Sequence, residues 1–214
     1  MRITNRKSAV FAASLICGLA IFVSALGTPP KSQSTPVAAR PVEPQEIVLV
    51  LDTTHCTVHY TVDSSLHTVH GTFDLKSGTV HFDPESGKAG GEIVVYATSG
   101  ESGNSSRDSR MHKEILESPK YPDVVFRPTQ VEGKVARHGN SDVQLRGVML
   151  LHGKEHEIAV PVHAQLTAEH WTGTASFPVP YIEWGLKDPS NWLLKVKPVV
   201  NIELEMAGSA NSPK

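Results

Sequence analysis

The stretch VQLRGVMLLHGKEHEIAVPV, residues 143–162, consists of two runs of alternating apolar and polar residues on either side of "HGK" at 152–154. Alternation with a period of two is typical of strands that bury one face, because successive side chains point to opposite faces. Two such runs joined by a short turn predict an antiparallel hairpin. The apolar positions are Val143, Leu145, Gly147, Met149 and Leu151 before the turn, and Ile158, Val160, Val162, Ala164 and Leu166 after it.

Similar alternation recurs along most of the chain and indicates about eight strands. The further runs are 56–62, 71–75, 79–82, 93–97, 175–181 and 200–206. We interpret "KSG" at 76–78 as a turn, so that the runs on either side of it form a hairpin. No helix-length crossover separates the runs, which argues against a parallel sheet. The periodicity is consistent with a sandwich or a closed barrel, but a barrel leaves no unpaired edge, and eight strands can enclose one small ligand.

The segment "NSSRDSRMHKEILE" at 104–117 breaks this alternation and predicts one short helix. Asn104 or Ser105 is suited to cap its N-terminus, and Met111 and Ile115, one turn apart, give it an apolar side. A Ser-Pro pair ends it, because the residue before a proline avoids the α-helical region. In a barrel, such a helix can bury its apolar side over an open end, where it would plug or gate a cavity. The alternative is a packed surface helix with no role in ligand access.

The N-terminal segment predicts export. Residues 1–25 combine a basic start, most of an apolar run and small residues before position 26, which is typical of a secretory signal peptide. An uncleaved membrane anchor is the alternative. We therefore expect a periplasmic or secreted protein and favour the cleaved signal. Residues 26–44 form a proline-rich linker, residues 45–208 one domain, and residues 209–214 a short C-terminal tail.

Composition and motifs argue against several classes of function. The formal net charge is −2, and the mature part has no basic cluster of the kind that nucleic-acid binding requires. Cys17 and Cys56 are the two cysteines, and Cys17 lies in the predicted signal, so the domain forms no intrachain disulfide. There is no Gly-x-Ser-x-Gly elbow, and His55 and His59 would lie about 13 Å apart on a strand, too far to share a metal. We expect no catalytic residue, no metal and no cofactor.

Five segments together resemble a known family. In chain order they are "DTTHCTVHYTV", "VHGTFDLKSGTVHFDP", "SGESGNSSRDSRMHKEILESPKYPDVVF", "VQLRGVMLLHGKEHEIAVPV" and "YIEWGLKDPSNWLLKVKPVVNIELEMAG". Their order and spacing across residues 51–207 resemble the YceI-like, or polyisoprenoid-binding, proteins of the bacterial cell envelope. The resemblance implies an all-β fold, an extended eight-stranded antiparallel β-barrel of lipocalin type with one short helix near the barrel mouth. It also implies export and a lipid-like ligand inside the barrel.

Together with this resemblance, the alternating faces predict an apolar ligand site inside the barrel. The predicted ligand-binding residues are Phe73, Val80, Phe82, Met111, Ile115, Phe126, Leu145, Met149, Val160, Val162, Phe177, Trp184 and Leu204. Arg107 is the candidate for binding the head group, because a guanidinium pairs well with acidic groups. The alternative for Arg107 is a carboxylate partner that fixes the helix to the barrel.

These observations favour a non-enzymatic, exported protein that sequesters or carries an isoprenoid-like amphiphile, such as a quinone or a polyprenyl phosphate. The expected partner is a lipid-like small molecule, and membrane contact is expected only through the N-terminal segment if it stays uncleaved. The alternative function is an envelope interaction or stress-protection protein whose barrel is filled by its own side chains and binds no ligand. The sequence leaves the oligomeric state open, a homodimer included.

Overall fold

A computed structural model describes residues 46–211; the predicted signal peptide, the linker and residues 212–214 lie outside the described residues. The strands are β1 (Ile47–Leu51), β2 (Thr57–Asp63), β3 (Thr68–Phe73), β4 (Leu75–Phe82), β5 (Ala89–Tyr96), β6 (Asp123–Glu132), β7 (Gly139–Leu151), β8 (Lys154–Leu166), β9 (His170–Val179) and β10 (Val200–Asn211). Between β5 and β6 lie a 3₁₀ turn (Ala97–Ser99), helix α1 (Ser105–Arg110) and a π-helical turn (Met111–Ile115). No helix within the described range is long and apolar enough to cross a membrane.

The ten strands occupy eight positions of one closed antiparallel barrel. β1 and β2 lie end to end along β10, with Leu51 opposite Gly208 and Thr57 opposite Glu205. β3 and β4 likewise lie end to end, because β3 pairs with β2 and β4 pairs with β1. The order then continues from β4 through β5, β6, β7, β8 and β9 to β10, and the β1–β10 pairing closes the ring. The predicted eight-stranded antiparallel barrel with one short helix is confirmed.

The longest hairpin is the one that the opening stretch predicts. β7 and β8 pair over thirteen positions, from Leu151 opposite Lys154 to Gly139 opposite Leu166. The two residues between them, His152 and Gly153, both have positive φ, at 53° and 74°. Positive φ at both central residues is the requirement of a type I′ turn, whose twist matches that of the paired strands. The prediction of this hairpin from alternation is confirmed.

The predicted turn at "KSG" is wrong. Residues 76–78 lie within β4, whose pairing with β5 is interrupted by a bulge between Leu75 and Ser77. A Cβ at Gly78 would lie 2.8 Å from the Leu51 side chain, so glycine serves close packing at this point and not a turn. β3 forms its hairpin with β2 instead, through a turn in which the Ser64 N–H donates to the His67 carbonyl over 3.1 Å.

One end of the barrel is filled by its own side chains, and we call it the closed end. The buried residues there are Ile47, Leu49, Leu51, Leu75, Val80, Phe82, Val131, Leu166, Trp171 and Ala210. Across this cluster, the Trp171 indole N–H donates to the carbonyl of Val50 over 3.5 Å. At the opposite end, called the open end, lie the β2–β3 turn, the helical segment 105–115 and the segment between β9 and β10.

Barrel closure predicts a strong effect of one small substitution, Gly208→Ala. A Cβ at position 208 would lie 1.8 Å from the Val50 carbonyl oxygen, so β10 and β1 must separate to admit it. We expect the free energy of unfolding to fall by about 2–3 kcal/mol, as in other overpacked sites. Chemical denaturation measures the change.

Ser209→Ala is the matched control, because Ser209 is exposed on the same strand and pairs with the same part of β1. It should change the stability by less than about 0.5 kcal/mol. Equal stability of the two variants would contradict the role given to the β1–β10 contact.

Candidate ligand cavity

The interior of the open end is hollow. A cavity of about 630 Å³ lies between the strands of the open end and the helical segment 105–115. This volume is within the range of roughly 300–1,000 Å³ that is common for small-molecule sites. Apolar side chains make up most of the lining, and they come from all ten strands, from the helical segment and from the segment between β9 and β10.

Strand periodicity explains how the lining forms. Along β9, Ala175, Phe177 and Val179 are buried, while the intervening Ser176 and Pro178 are exposed. On the neighbouring β10, Ile202 pairs with Phe177 and also lines the cavity. Since side chains at alternate positions share a face, adjacent strands in register place their apolar sets side by side. The cavity is therefore lined by the inward-facing side chains that adjacent strands place side by side.

Most of the predicted ligand-binding residues line this cavity. They are Phe73, Met111, Ile115, Phe126, Leu145, Met149, Val160, Val162, Phe177 and Leu204. The head-group candidate Arg107 also borders it. These residues come from eight separate elements that the fold brings to one space.

Three predicted residues do not line the cavity. Val80 and Phe82 point inward as predicted, but they belong to the closed end, where they are buried in one cluster with Trp171. Trp184 lies in the segment after β9, and its ring stacks on His156 with centroids 4.2 Å apart and planes 5° from parallel. It packs against the apolar cluster around the cavity without entering the lining.

The structure also adds lining residues that the prediction omits. Val62, Ala175 and Ile202 continue the alternating sets of their strands, so the same periodic signal points to them. Leu194 and Val196 lie in the irregular segment before β10, where no periodicity identifies a buried face.

The helical segment forms part of the cavity wall. Beyond its pairing with β2, β3 has one isolated bridge, from Thr72 to Glu101, and no further strand partner within the described range. The helical segment follows this bridge, and Met111 and Ile115 face the cavity. The segment thus fills a gap in the strand wall of the open end.

Two side chains hold the helical segment in place. Asn104 is the N-cap, as predicted, and its Oδ1 accepts from the Arg107 backbone N–H over 3.0 Å. His112 lies 2.8 Å through Nε2 from the Gly100 carbonyl and 2.9 Å through Nδ1 from the Ser118 hydroxyl. A carbonyl only accepts, so Nε2 carries the proton and, in the neutral ring, Nδ1 accepts from Ser118. His112 therefore ties together the two ends of the helical insertion.

Arg107 is anchored to the loop before the helix. Its Nε donates to the Ser102 hydroxyl over 2.7 Å, and its Nη2 donates to the Ser102 carbonyl over 2.9 Å. Asp108 accepts from the same hydroxyl. The other N–H groups of the Arg107 guanidinium make no hydrogen bond with residues 46–211. Since Arg107 also borders the cavity, these donors are available to an acceptor at that position.

Cys56, the one cysteine among residues 46–211, is not an activated nucleophile. Cys56 borders the cavity, and its thiol lies 3.4 Å from both the carbonyl oxygen and the amide nitrogen of Ala207. Burial raises the pKa of the Cys56 thiol above its ordinary value. Because the thiolate is the reactive form, a raised pKa keeps this side chain inert at neutral pH.

Comparison with known proteins agrees with the geometry. The family profile described as YceI-like domain matches residues 49–207. The chain belongs to this YceI-like family. The resemblance that the five sequence segments suggest is therefore confirmed.

Solved structures share the fold at low sequence identity. BcnA of Burkholderia cenocepacia superposes with a TM-score of 0.60 at 15% identity, over 74% of this chain and 99% of that one. A polyisoprenoid binding domain from Saccharophagus degradans, implicated in plant cell wall breakdown, gives 0.55 at 15% identity, over 77% and 98%. At this identity the likeness shows the fold alone, a YceI or lipocalin-like barrel. A search of curated protein sequences finds no match.

Tyr181 predicts a pH dependence of stability. Its hydroxyl donates to the Lys197 carbonyl over 3.1 Å, which joins the two ends of the segment between β9 and β10. Burial, and to a lesser degree the charge of Asp188, raises the pKa of Tyr181 from 10.0 to about 12. The folded state thus favours the neutral phenol, so its contribution is complete below pH 10 and is lost as the pH rises from 10 to about 12.

We therefore expect the free energy of unfolding of Tyr181→Phe to fall less steeply between pH 10 and 12 than that of the wild type. Denaturant titration at a series of pH values gives the two slopes. Tyr96→Phe, at an exposed tyrosine, is the control and should retain the wild-type slope. A Tyr181→Phe slope equal to the wild-type slope would show that this phenol is not the group responsible.

Proposed function

We propose that this protein is an exported, non-enzymatic lipid-binding protein that sequesters or carries an isoprenoid-like amphiphile, a quinone or a polyprenyl phosphate. The observation that carries the proposal is the apolar cavity of about 630 Å³, which has polar side chains such as Arg107 at its border. Membership of a family whose members include polyisoprenoid-binding domains supports the same class of ligand.

The hydrocarbon chain of the ligand would lie among the apolar side chains of β7 to β10. Each CH₂ group removed from water contributes about 0.8 kcal/mol, so one five-carbon isoprene unit contributes about 4 kcal/mol before the cost of ordering the chain. Affinity is therefore expected to rise with the number of isoprene units until the cavity is full, and then to level off. Such a length dependence distinguishes an enclosed site from a surface patch.

The polar head would lie next to Arg107, whose remaining N–H donors suit a phosphate or a quinone carbonyl. The absence of catalysis is part of the proposal. The raised pKa of the Cys56 thiol argues against a thiolate nucleophile at this position. The alternative of a barrel filled by its own side chains describes the closed end but not the open end.

Filling the cavity should abolish chain binding. Ala175→Trp places an indole among Val160, Phe177 and Leu204, in space that the ligand needs. Excluding two CH₂ groups already costs about 1.6 kcal/mol, so we expect affinity for prenyl alcohols to fall at least about tenfold. Titration with prenyl alcohols of increasing length, followed by native mass spectrometry, measures the loss.

Ser176→Trp is the matched control, because Ser176 is the exposed neighbour on the same strand. It should bind like the wild type, and circular dichroism should show both variants folded. Undiminished binding by a folded Ala175→Trp variant would refute the cavity as the ligand site.

The head-group role of Arg107 gives a separate prediction. Arg107→Gln should weaken binding of a prenyl monophosphate about tenfold or more, because a hydrogen bond to a charged group contributes about 1.5–3 kcal/mol. Binding of the matching prenyl alcohol should change little. Arg146→Gln, which removes an exposed guanidinium paired with Glu132, is the control. An equal loss for alcohol and phosphate would assign Arg107 to anchoring the loop alone.

A further inference from the structure

Three large apolar side chains protrude from the open end. The exposed fractions are 90% for Trp192, 64% for Leu193 and 66% for Leu66, and no other large apolar residue of the described range exceeds 44%. Trp192 and Leu193 lie in the segment between β9 and β10, and Leu66 lies in the β2–β3 turn. We call these three residues the apolar rim patch.

Local hydrogen bonds hold the patch in its exposed position. Asn191 Oδ1 accepts from the backbone N–H groups of Leu193 and Leu194 over 2.9 and 2.8 Å, and the Asn191 N–H donates to the Leu194 carbonyl over 2.8 Å. The tip that presents Trp192 is therefore a defined turn, built on an asparagine side chain. Exposure of its indole follows from this geometry.

The two turns that carry the patch are joined to each other. The Ser65 N–H donates to the Lys195 carbonyl over 2.8 Å, and the Lys195 N–H donates to the Ser65 hydroxyl over 3.1 Å. An isolated bridge between Ser64 and Val196 continues this contact. Leu66 is therefore fixed on the same side of the open end as Trp192 and Leu193.

The patch is continuous with the cavity. Leu194, which follows the exposed tip directly, lines the cavity, and so do Val196 and, from the β2–β3 turn, Ser64 and His67. Consecutive apolar side chains thus run from the exposed Trp192 and Leu193 to Leu194 in the cavity lining. A hydrocarbon chain that leaves or enters over this rim would remain in contact with apolar side chains.

Charged side chains beside the patch largely compensate one another. Lys197 Nζ lies 2.8 Å from Asp63, and Lys187 Nζ lies 2.7 Å from Glu114. Hydrogen bonds from Ser190, with a smaller contribution from the nearby Lys195, lower the pKa of Asp188, so that carboxylate is ionised at neutral pH. The surroundings of the patch therefore carry cations and anions in similar number and create no strong basic field.

We propose that the apolar rim patch docks on the surface of a phospholipid bilayer and that neutral lipids suffice for this docking. Trp is enriched at membrane–water interfaces, where its amphipathic ring lies at the level of the head groups. Three side chains expose only a few hundred Å², well below the roughly 800 Å² per partner of a stable protein interface. A bilayer needs no such area, because each inserted side chain leaves water independently.

The docking extends the proposed function, and its biological role rests on that function. An isoprenoid-like ligand resides in a bilayer, and docking at the rim would let it pass into the cavity without crossing water. It adds a membrane contact of the barrel domain itself, separate from the N-terminal segment.

Flotation with vesicles of phosphatidylcholine alone tests the docking. The wild type is expected to bind equally at low and high salt, since screening affects charge attraction and not apolar insertion. The double variant Trp192→Ser/Leu193→Ser should bind at least about tenfold less, because two apolar side chains no longer insert. Tyr96→Ser, at an exposed aromatic residue outside the patch, is the matched control and should bind like the wild type.

Fluorescence locates the contact. The wild type and the Trp192→Ser variant share the emission of Trp171, which is buried, and of Trp184, which is stacked on His156. Subtracting the variant's spectrum removes this shared emission and isolates that of Trp192. Vesicles should shift this difference spectrum to the blue. No binding of the wild type, or binding to anionic vesicles alone that disappears at high salt, overturns the proposal. So does a change in sedimentation of the double variant without a change in vesicle binding, which would identify the patch as a self-association surface.

A second measurement separates this inference from the proposed function. A short, water-soluble prenyl monophosphate is offered to the wild type and the double variant without vesicles, and equal uptake by both is expected. Transfer of a long prenyl alcohol from vesicles should be slower for the double variant. Failure of both proteins to take up the soluble probe would reject the ligand cavity, whereas equal transfer rates from vesicles would reject the docking surface alone.

Discussion

The pairing of β10 with both β1 and β2 is the constraint on which the rest of the structure depends. β10 pairs with β9 along ten of its positions on one side, and on the other side it divides between β2 and β1. Because β1 also pairs with β4, this short strand is the link that closes the ring. Closure pairs both edges of every described strand except β3, whose second edge has only the Thr72–Glu101 bridge, and the inward side chains are confined to one interior.

Alternation predicted eight of the ten strands and an antiparallel arrangement, because each strand has one inward and one outward face, but none of the predicted runs covers β1 or β6, and alternation alone left a sandwich and a barrel open. It was insufficient where glycine serves packing, as at Gly78, whose missing Cβ accommodates Leu51. Nor could it show that β1 and β2 share one position, since that depends on pairing with Gly208 and Glu205, about 150 residues further along the chain. Local patterns carry no information about such distant partners.

The location of the cavity likewise lies beyond what local sequence patterns can predict. Periodicity tells which side chains point inward but not how far along the barrel they lie. Phe82 and Phe177 have equivalent patterns, yet Phe82 packs in the closed end and Phe177 borders the hollow. The bulk of Trp171 and its neighbours decides between the two outcomes, and only the assembled barrel brings them together. Leu194 lies in an irregular segment, where no periodic pattern identifies it as inward-facing.

The barrel has one solid end and one hollow end. A large part of the hydrophobic core therefore lies away from the cavity, so stability and occupancy of the cavity depend on largely different side chains. Hydrophobic burial at the closed end involves Trp171, Leu166 and Phe82, none of which borders the cavity. The closed end therefore has a packed core that needs no occupant of the cavity. The proposed ligand would then add stability only through mass action, in proportion to the logarithm of its free concentration once that exceeds the dissociation constant. The shift in melting temperature on loading would then report the free ligand concentration relative to the dissociation constant.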